Sequence, residues 1–204
     1  MTDLPMTPEP PANPPMAGIV VIGRFQPLHF GHAILLRAAA EQRAAHAADS
    51  TLIIGIGSAN RPSTLANPWT AEERESMVTA WLDAEGIENT HICSIPDIED
   101  PPNWVRHAER YHGEAGCILT TDFDTAELYT AAGWDVVLLP LEQRENYEGW
   151  RVRETARMLS TVHDEEAVRS VLGSLVPSSV LDLLINTDSL ARLAYMGEGG
   201  EPVG

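Results

Sequence analysis

His29 and His32 stand three residues apart around Gly31, within the run Gly23-Arg24-Phe25-Gln26-Pro27-Leu28-His29-Phe30-Gly31-His32. Imidazoles reach phosphate oxygens either as cations or as neutral N–H donors. Arg24, in the same run, adds a planar guanidinium whose fork matches phosphoryl oxygens. The chemistry these residue types suit is neutralisation of charge on phosphoryl groups. The apolar run Gly18-Ile19-Val20-Val21-Ile22 ahead of them reads as a buried strand, and residues 33–40 behind them read as helix. A strand-to-helix loop therefore presents them. It sets His32 in the first helical turn, where unpaired N–H groups and the positive dipole end favour an anion. Gly23 permits the tight exit from the strand, Pro27 stiffens the loop, and Gly31 lets the backbone come close to a ligand. A loop with two merely solvated histidines is the alternative, and the strand–loop–helix context weighs against it.

Composition narrows the classes. A chain of 204 residues can bury a proper core as one domain with a small appendage. No apolar run approaches the roughly 20 residues a membrane span needs. Met1 to Met16 has neither a basic residue nor an apolar stretch, so it does not read as a signal peptide. Cys93 and Cys117 match no zinc spacing and read as buried free thiols, which points to the cytoplasm. The net charge of −17 argues against a general nucleic-acid binder. It leaves room for a nucleotide pocket, which needs only a few local cations. All 13 basic side chains are arginine. A Walker P-loop and the lysine-rich loop of class I aminoacyl-tRNA synthetases are thereby excluded, and any basic phosphate contact must be Arg.

The chain alternates strand and helix. Residues 1–17, with six prolines, read as a disordered tail, and 197–204, with four glycines, as a second one. Strands are expected at 18–22, 51–57, 90–95, 117–120 and 134–139, with helices at 32–48, 70–83, 103–111 and 125–132. Thr70 with Glu73 suits a capping box. From Gly149 on the pattern is helical, at 150–159, 164–172 and 178–195, with Pro177 at a helix start. This predicts an α/β, Rossmann-like, doubly wound parallel sheet of about five strands over residues 18–160, followed by C-terminal helices at 161–196. Ligands bind such sheets beyond the carboxyl ends of the strands. The loops at Gly23–His32, Gly57–Asn60, Pro96–Glu99 and Thr121–Asp122 all leave that edge.

The lead-in Gly-Arg-Phe-Gln-Pro-x-His-x-Gly-His resembles the archaeal-type nicotinamide-mononucleotide adenylyltransferases of the nucleotidyltransferase superfamily. The resemblance continues through Gly55-Ile56-Gly57-Ser58-Ala59-Asn60, Asn67-Pro68-Trp69-Thr70-Ala71-Glu72-Glu73-Arg74, and Ile95-Pro96-Asp97-Ile98-Glu99 with Trp104. It implies transfer of AMP from ATP to nicotinamide mononucleotide, giving NAD and pyrophosphate, with Mg²⁺ bound along with ATP and no metal ligand from the protein. The nucleophile is a phosphate already ionised at neutral pH, so catalysis is positioning and charge neutralisation. Carried onto this sequence, the resemblance assigns His29, His32 and Arg24 to the reacting phosphates. It assigns Gly23, Phe25, Gly31, Gly149, Arg151 and Arg153 to ATP. Trp104 becomes a stacking platform for the cationic nicotinamide ring, bordered by Asp97, Ser58 and Asn60. Core, turn and capping roles are the alternatives for these four, and a surface ion pair is the alternative for Arg74. ATP and the mononucleotide are the implied partners, with neither nucleic acid nor membrane. Family members are often oligomers, so a homo-oligomer is a further expectation.

Two segments depart from the family pattern. Glu148 and Trp150 replace hydroxyl residues in the phosphate-binding segment Tyr147-Glu148-Gly149-Trp150-Arg151-Val152-Arg153, and Thr120-Thr121-Asp122-Phe123 replaces Ser-Gly-Asn-Pro. A carboxylate beside a triphosphate needs a cation, which Arg151 can supply, while Trp150 offers a face for adenine. A related nucleotidyltransferase with another donor or acceptor, or a catalytically silent nucleotide-binding protein, are the competing readings.

Overall fold

The first strand is the central one, and the sheet is built outward from it. β1 (Ile19–Gly23) pairs in parallel with β2 (Leu52–Ile56) on one side and β4 (Cys117–Thr120) on the other. β3 (Thr90–Ser94) pairs with β2, and β5 (Asp135–Leu138) with β4, giving the order β3-β2-β1-β4-β5. Val20 faces Ile53 across one ladder and Ile118 across the other. All three are buried, as continuous β-branched runs must be when a parallel sheet is covered. The structure is a computed structural model describing residues 4–16, 18–140 and 147–196. The glycine-rich end read from 197 onward lies outside those residues.

Helices follow the strands: α1 (Phe30–His46), α2 (Ala71–Glu85), α3 (Trp104–His112), α4 (Phe123–Ala131), α5 (Gly149–Leu159), α6 (Glu165–Leu172) and α7 (Ser178–Asn186). The chain divides into two compact units that interleave in sequence. One comprises residues 1–24, 34–61 and 87–142 and holds the whole sheet; the other comprises residues 25–33, 62–86 and 143–204. This division does not follow the boundary near residue 160 read from the sequence.

In the sheet unit, Tyr129, Val105 and Ile118 form one buried cluster and Ile95, Ala108 and Tyr111 another. Cys93 and Cys117 are free thiols, half-buried rather than buried. The proline-rich stretch has no helix or strand among residues 4–16, yet it is anchored. Tyr111 Oη donates to the Pro8 carbonyl at 2.9 Å, and Asn60 Nδ2 donates to the Pro5 carbonyl at 2.9 Å. Prolines lose little conformational freedom on ordering, so two such bonds hold a segment whose composition reads as disorder.

In the second unit α2 packs on α7, and α5 and α7 each pack on α6, around Trp69, Trp81, Leu172 and Val180. Thr70 caps α2 with the expected box: its hydroxyl accepts from Glu73 N–H, and Glu73 accepts from Thr70 N–H. Glu73 also takes both Arg192 nitrogens at 2.6 Å, which ties the end of the chain to the start of α2. The helix expected over 178–195 is broken. Asp188 adopts a left-handed φ of 53°, which aspartate tolerates, and a 3-10 turn (Ala191–Tyr195) replaces the last turns.

Candidate active site

The loop after β1 enters the second unit at Phe25. Phe25 holds a φ of 50°, costly for a bulky side chain, and its ring is fully buried. That ring lies 4.7 Å from the imidazole of His32, which in turn lies 3.9 Å from that of His29. His29 Nδ1 accepts from Gly31 N–H at 3.2 Å, and His32 Nδ1 accepts from His29 N–H at 3.4 Å. With Nδ1 accepting, each ring presents Nε2 as its N–H. Burial, reinforced by the Arg153 guanidinium, pushes His29 down to about 4, so it is neutral at pH 7. It offers a phosphate an N–H donor rather than a cation.

The positive charge comes from α5. Arg153 Nη1 donates to the Gln26 carbonyl at 3.0 Å. Gly149 opens that helix, and a Cβ there would lie 3.1 Å from Arg153 Nη1 and 3.6 Å from His29 Nε2. Gly31 also makes a close approach to protein atoms. A Cβ on it would meet Tyr147 Cβ at 2.7 Å and the His29 ring at 3.1 Å. Glycine there makes room for protein atoms. The unit thus brings together Phe25, His29, Gly31, His32, Gly149 and Arg153. Arg151, in the same helix turn, is exposed; it pairs with Glu148 at 2.8 Å and its guanidinium lies 4.8 Å from the centre of the Trp150 ring. Arg74, set against a surface pairing in the sequence, is 1% exposed and donates to the Thr70 carbonyl.

The sheet unit gathers the remaining candidates at the carboxyl ends of its strands. Gly57 N–H donates to the Gly23 carbonyl at 2.9 Å, joining the exits of β1 and β2. Arg24 follows and is exposed. Ser58 is buried in a left-handed conformation. Asn60 is occupied by main chain: Nδ2 donates to the Asp97 carbonyl at 2.9 Å, and Oδ1 accepts from Asp97 N–H at 2.8 Å. Its carboxamide clamps the β3 loop. Asp97 and half-buried Trp104 line one cavity of ≈ 280 Å³. Trp104 also packs on the Ile95–Tyr111 cluster, so it is at once core and wall.

Three contributors went unread in the sequence. Gln26 donates through Nε2 to the Trp69 carbonyl at 2.8 Å and accepts from Trp69 N–H at 3.1 Å. Arg61 binds Asp97 at 2.7 Å. His107 Nε2 donates to the Pro96 carbonyl at 2.8 Å. Gln26 lay inside the motif, and Arg61 directly follows Asn60 in a chain with no lysine. His107 carried no signal beyond its type.

A five-stranded parallel sheet whose first strand empties into an imidazole and guanidinium cradle is the arrangement of nucleotidyl-transferring proteins. The chain belongs to the cytidylyltransferase-like family, whose model matches residues 20–155. Within it, the chain is similar to the nicotinamide-nucleotide adenylyltransferase of Picrophilus torridus, at 30% identity over 89% of this chain and 98% of that protein. It is likewise similar to that of Methanolobus tindarius, at 33% identity over 84% of this chain and 90% of that protein. A bifunctional NMN adenylyltransferase/ADP ribose pyrophosphatase from Francisella tularensis, solved with AMP and a manganese ion, shares the fold. The TM-score is 0.59 at 21% identity, covering 88% of this chain and 52% of that one.

Proposed function

We propose that this chain is a nicotinamide-nucleotide adenylyltransferase, which transfers AMP from ATP to nicotinamide mononucleotide and releases pyrophosphate. The observation that carries the reading is the cradle in which neutral His29 and Arg153 flank the position of Gly149 and His32 stacks on His29. The mononucleotide 5′-phosphate attacks the α-phosphorus of ATP; one P–O bond forms and the bond to the pyrophosphate oxygen breaks. No base is needed, and the side chains supply donors to oxygens whose charge shifts in the transition state. His29 and His32 donate through Nε2, Arg153 adds a fixed cation, and Arg24 is assigned to the reacting phosphates. Trp104 is assigned to the pyridinium ring, and Asn60 holds the Asp97 loop against that pocket.

The described residues gather no group of three metal-ligating side chains. We assign the divalent cation to the phosphate oxygens of ATP, where hard oxygen donors suit Mg²⁺. The cation would screen those oxygens and the leaving pyrophosphate. Glu148 does not favour a silent protein, because Arg151 already neutralises it. No described helix is long and apolar enough to cross a membrane, and the two free thiols fit a cytoplasmic setting. Assembly as a homo-oligomer belongs to the same reading and is checked by light scattering.

The test is purified protein with ATP, Mg²⁺ and nicotinamide mononucleotide, with NAD and pyrophosphate measured by chromatography. His32→Ala is expected to lower kcat by about a hundredfold or more with the circular dichroism unchanged, as loss of a preorganised donor does. A near-normal rate in that variant refutes its phosphate role. AMP transfer only to some other acceptor refutes the assignment of the mononucleotide.

A further inference from the structure

We infer that Arg192 is a positioning residue of the phosphate cradle: with the turn that carries it, it holds Arg153 in place against the histidine loop. This rests on the adenylyl-transfer reading, since it takes that cradle as the place of the ATP phosphates.

α7 ends at Asn186, and the left-handed Asp188 redirects the chain. Leu190 and Leu193 are buried beyond that bend, and Arg192 stands between them in the 3-10 turn. Its guanidinium makes a fork onto the start of α2. Nη1 donates to Glu73 Oε1 and Nη2 to Glu73 Oε2, each at 2.6 Å, and Nη2 also donates to the Pro68 carbonyl at 2.7 Å. The two side chains are 36% and 30% exposed, so their Coulomb attraction alone adds little stability. What the fork supplies is direction, because a two-point bond fixes the angle of approach as well as the distance.

Pro68 is followed by Trp69, whose N–H and carbonyl are both taken by the Gln26 carboxamide. The Gln26 carbonyl in turn accepts from Arg153 Nη1 at 3.0 Å. Arg153 belongs to α5, and α5 packs on the turn that bears Arg192. The contacts therefore close a ring: turn, start of α2, Gln26, Arg153, α5 and back to the turn. Every member lies in the second unit. In a closed ring no link swings without straining the others, which is how a supporting shell fixes the residues that meet the ligand. Arg192 acts on the cradle through Gln26 and α5. Opening the ring would let Arg153 drift from His29, and a misplacement of about 1 Å is enough to cost up to a hundredfold in rate.

Arg192→Gln opens the ring. Two quantities are then expected to rise about tenfold: KM for ATP in NAD synthesis, and the Kd of adenosine 5′-(α,β-methylene)triphosphate with Mg²⁺ measured by calorimetry. KM for nicotinamide mononucleotide should stay within about twofold, because Trp104 and Asp97 belong to the sheet unit. Arg192→Lys keeps the charge without the fork and should lie between, at about threefold. Arg169→Gln removes the ion pairs of Arg169 with Glu165 and Asp182, in the same unit, and should leave both ATP values unchanged. An equal effect of Arg169→Gln would mean general loosening of the helices and overturns the inference. Unchanged ATP values in Arg192→Gln overturn it too, as does an equal loss for both substrates. Circular dichroism checks the fold, and if Arg192→Gln does not fold, Arg192→Lys decides on the same measurements. A protein that binds the analogue yet makes no NAD refutes the adenylyl-transfer reading alone, and the calorimetric values then decide the inference. One that does not bind the analogue overturns both.

Discussion

Lowering the pH from 7 to 5 tests whether His29 is held neutral inside the fold. Its folded value is about 4 against an ordinary 6.5, with burial as the larger cause and Arg153 as the second. Above pH 6.5 the ring is neutral in both states and contributes no pH dependence. Below it, the unfolded chain takes up a proton that the folded protein refuses, so stability falls with pH until the folded ring itself titrates near 4. Integrated from pH 7 to pH 5, that difference costs about 2 kcal/mol. The assay is urea denaturation at pH 7, 6 and 5, followed by tryptophan fluorescence. Trp69 and Trp81 are at most 1% exposed and lie in the same unit as His29, so they report its unfolding. His29→Gln has no proton to refuse, and its loss of stability over the same range should be smaller by about 2 kcal/mol. His112, also pushed down to about 4 by burial, lies in the sheet unit and contributes equally to both proteins. Parallel pH profiles for the two proteins would refute the neutral, buried imidazole on which the donor role rests.

Three further outcomes are expected. Gly149→Val places branched carbons where a Cβ already lies 3.1 Å from Arg153 Nη1; steady-state kinetics should show KM for ATP rising about tenfold, with KM for the mononucleotide little changed. Trp104→Ala should show the reverse split, raising KM for the mononucleotide by about tenfold as a cation–π face is lost; equal effects on both substrates would make it core alone. Gln26→Leu removes both bonds to the Trp69 main chain and should cost about 1–3 kcal/mol by denaturation for the orphaned buried groups.

The fold was legible because its cues are local. Apolar runs such as Ile19–Ile22 and Leu52–Ile56 cannot be anything but buried strands, and the Thr70–Glu73 box marks a helix start by spacing alone. The cradle was legible in part. The motif named His29 and His32, but nothing in it says that His29 is neutral, since that follows from burial and from Arg153, more than a hundred residues away in sequence. The uses of Gln26, Arg61 and Asn60 were hidden for a related reason. Each bonds to the main chain or acid of a segment distant in sequence, and periodicity carries no information on such pairings. Two side chains, Asn60 and Tyr111, bond carbonyls of the proline-rich segment, pairings of which its composition carries no sign.

The departures in the segment after Tyr147 acquire a physical meaning from this geometry. Glu148 sits at the N-cap of α5, where a carboxylate is favoured by the helix dipole. Its Oε2 accepts from Arg151 Nε at 2.8 Å, so the substitution brings its own counter-charge from within one helical turn. The pair is substantially exposed, with side chains 36% and 55% accessible, and its attraction is correspondingly weak. Neutralisation of the local charge requires only that the two remain adjacent, which one helical turn guarantees. Gly149 and Arg153, the residues that touch the cradle, keep the identities the family pattern requires. Trp150 and the Glu148–Arg151 pair thus lie on the exposed side of α5, while Arg153 bonds the Gln26 carbonyl on its inner side. On this argument Arg151→Ala should weaken ATP binding by unmasking Glu148, and Glu148→Gln combined with Arg151→Ala should restore it. Failure of the double substitution to recover KM for ATP would mean that Arg151 meets the nucleotide itself.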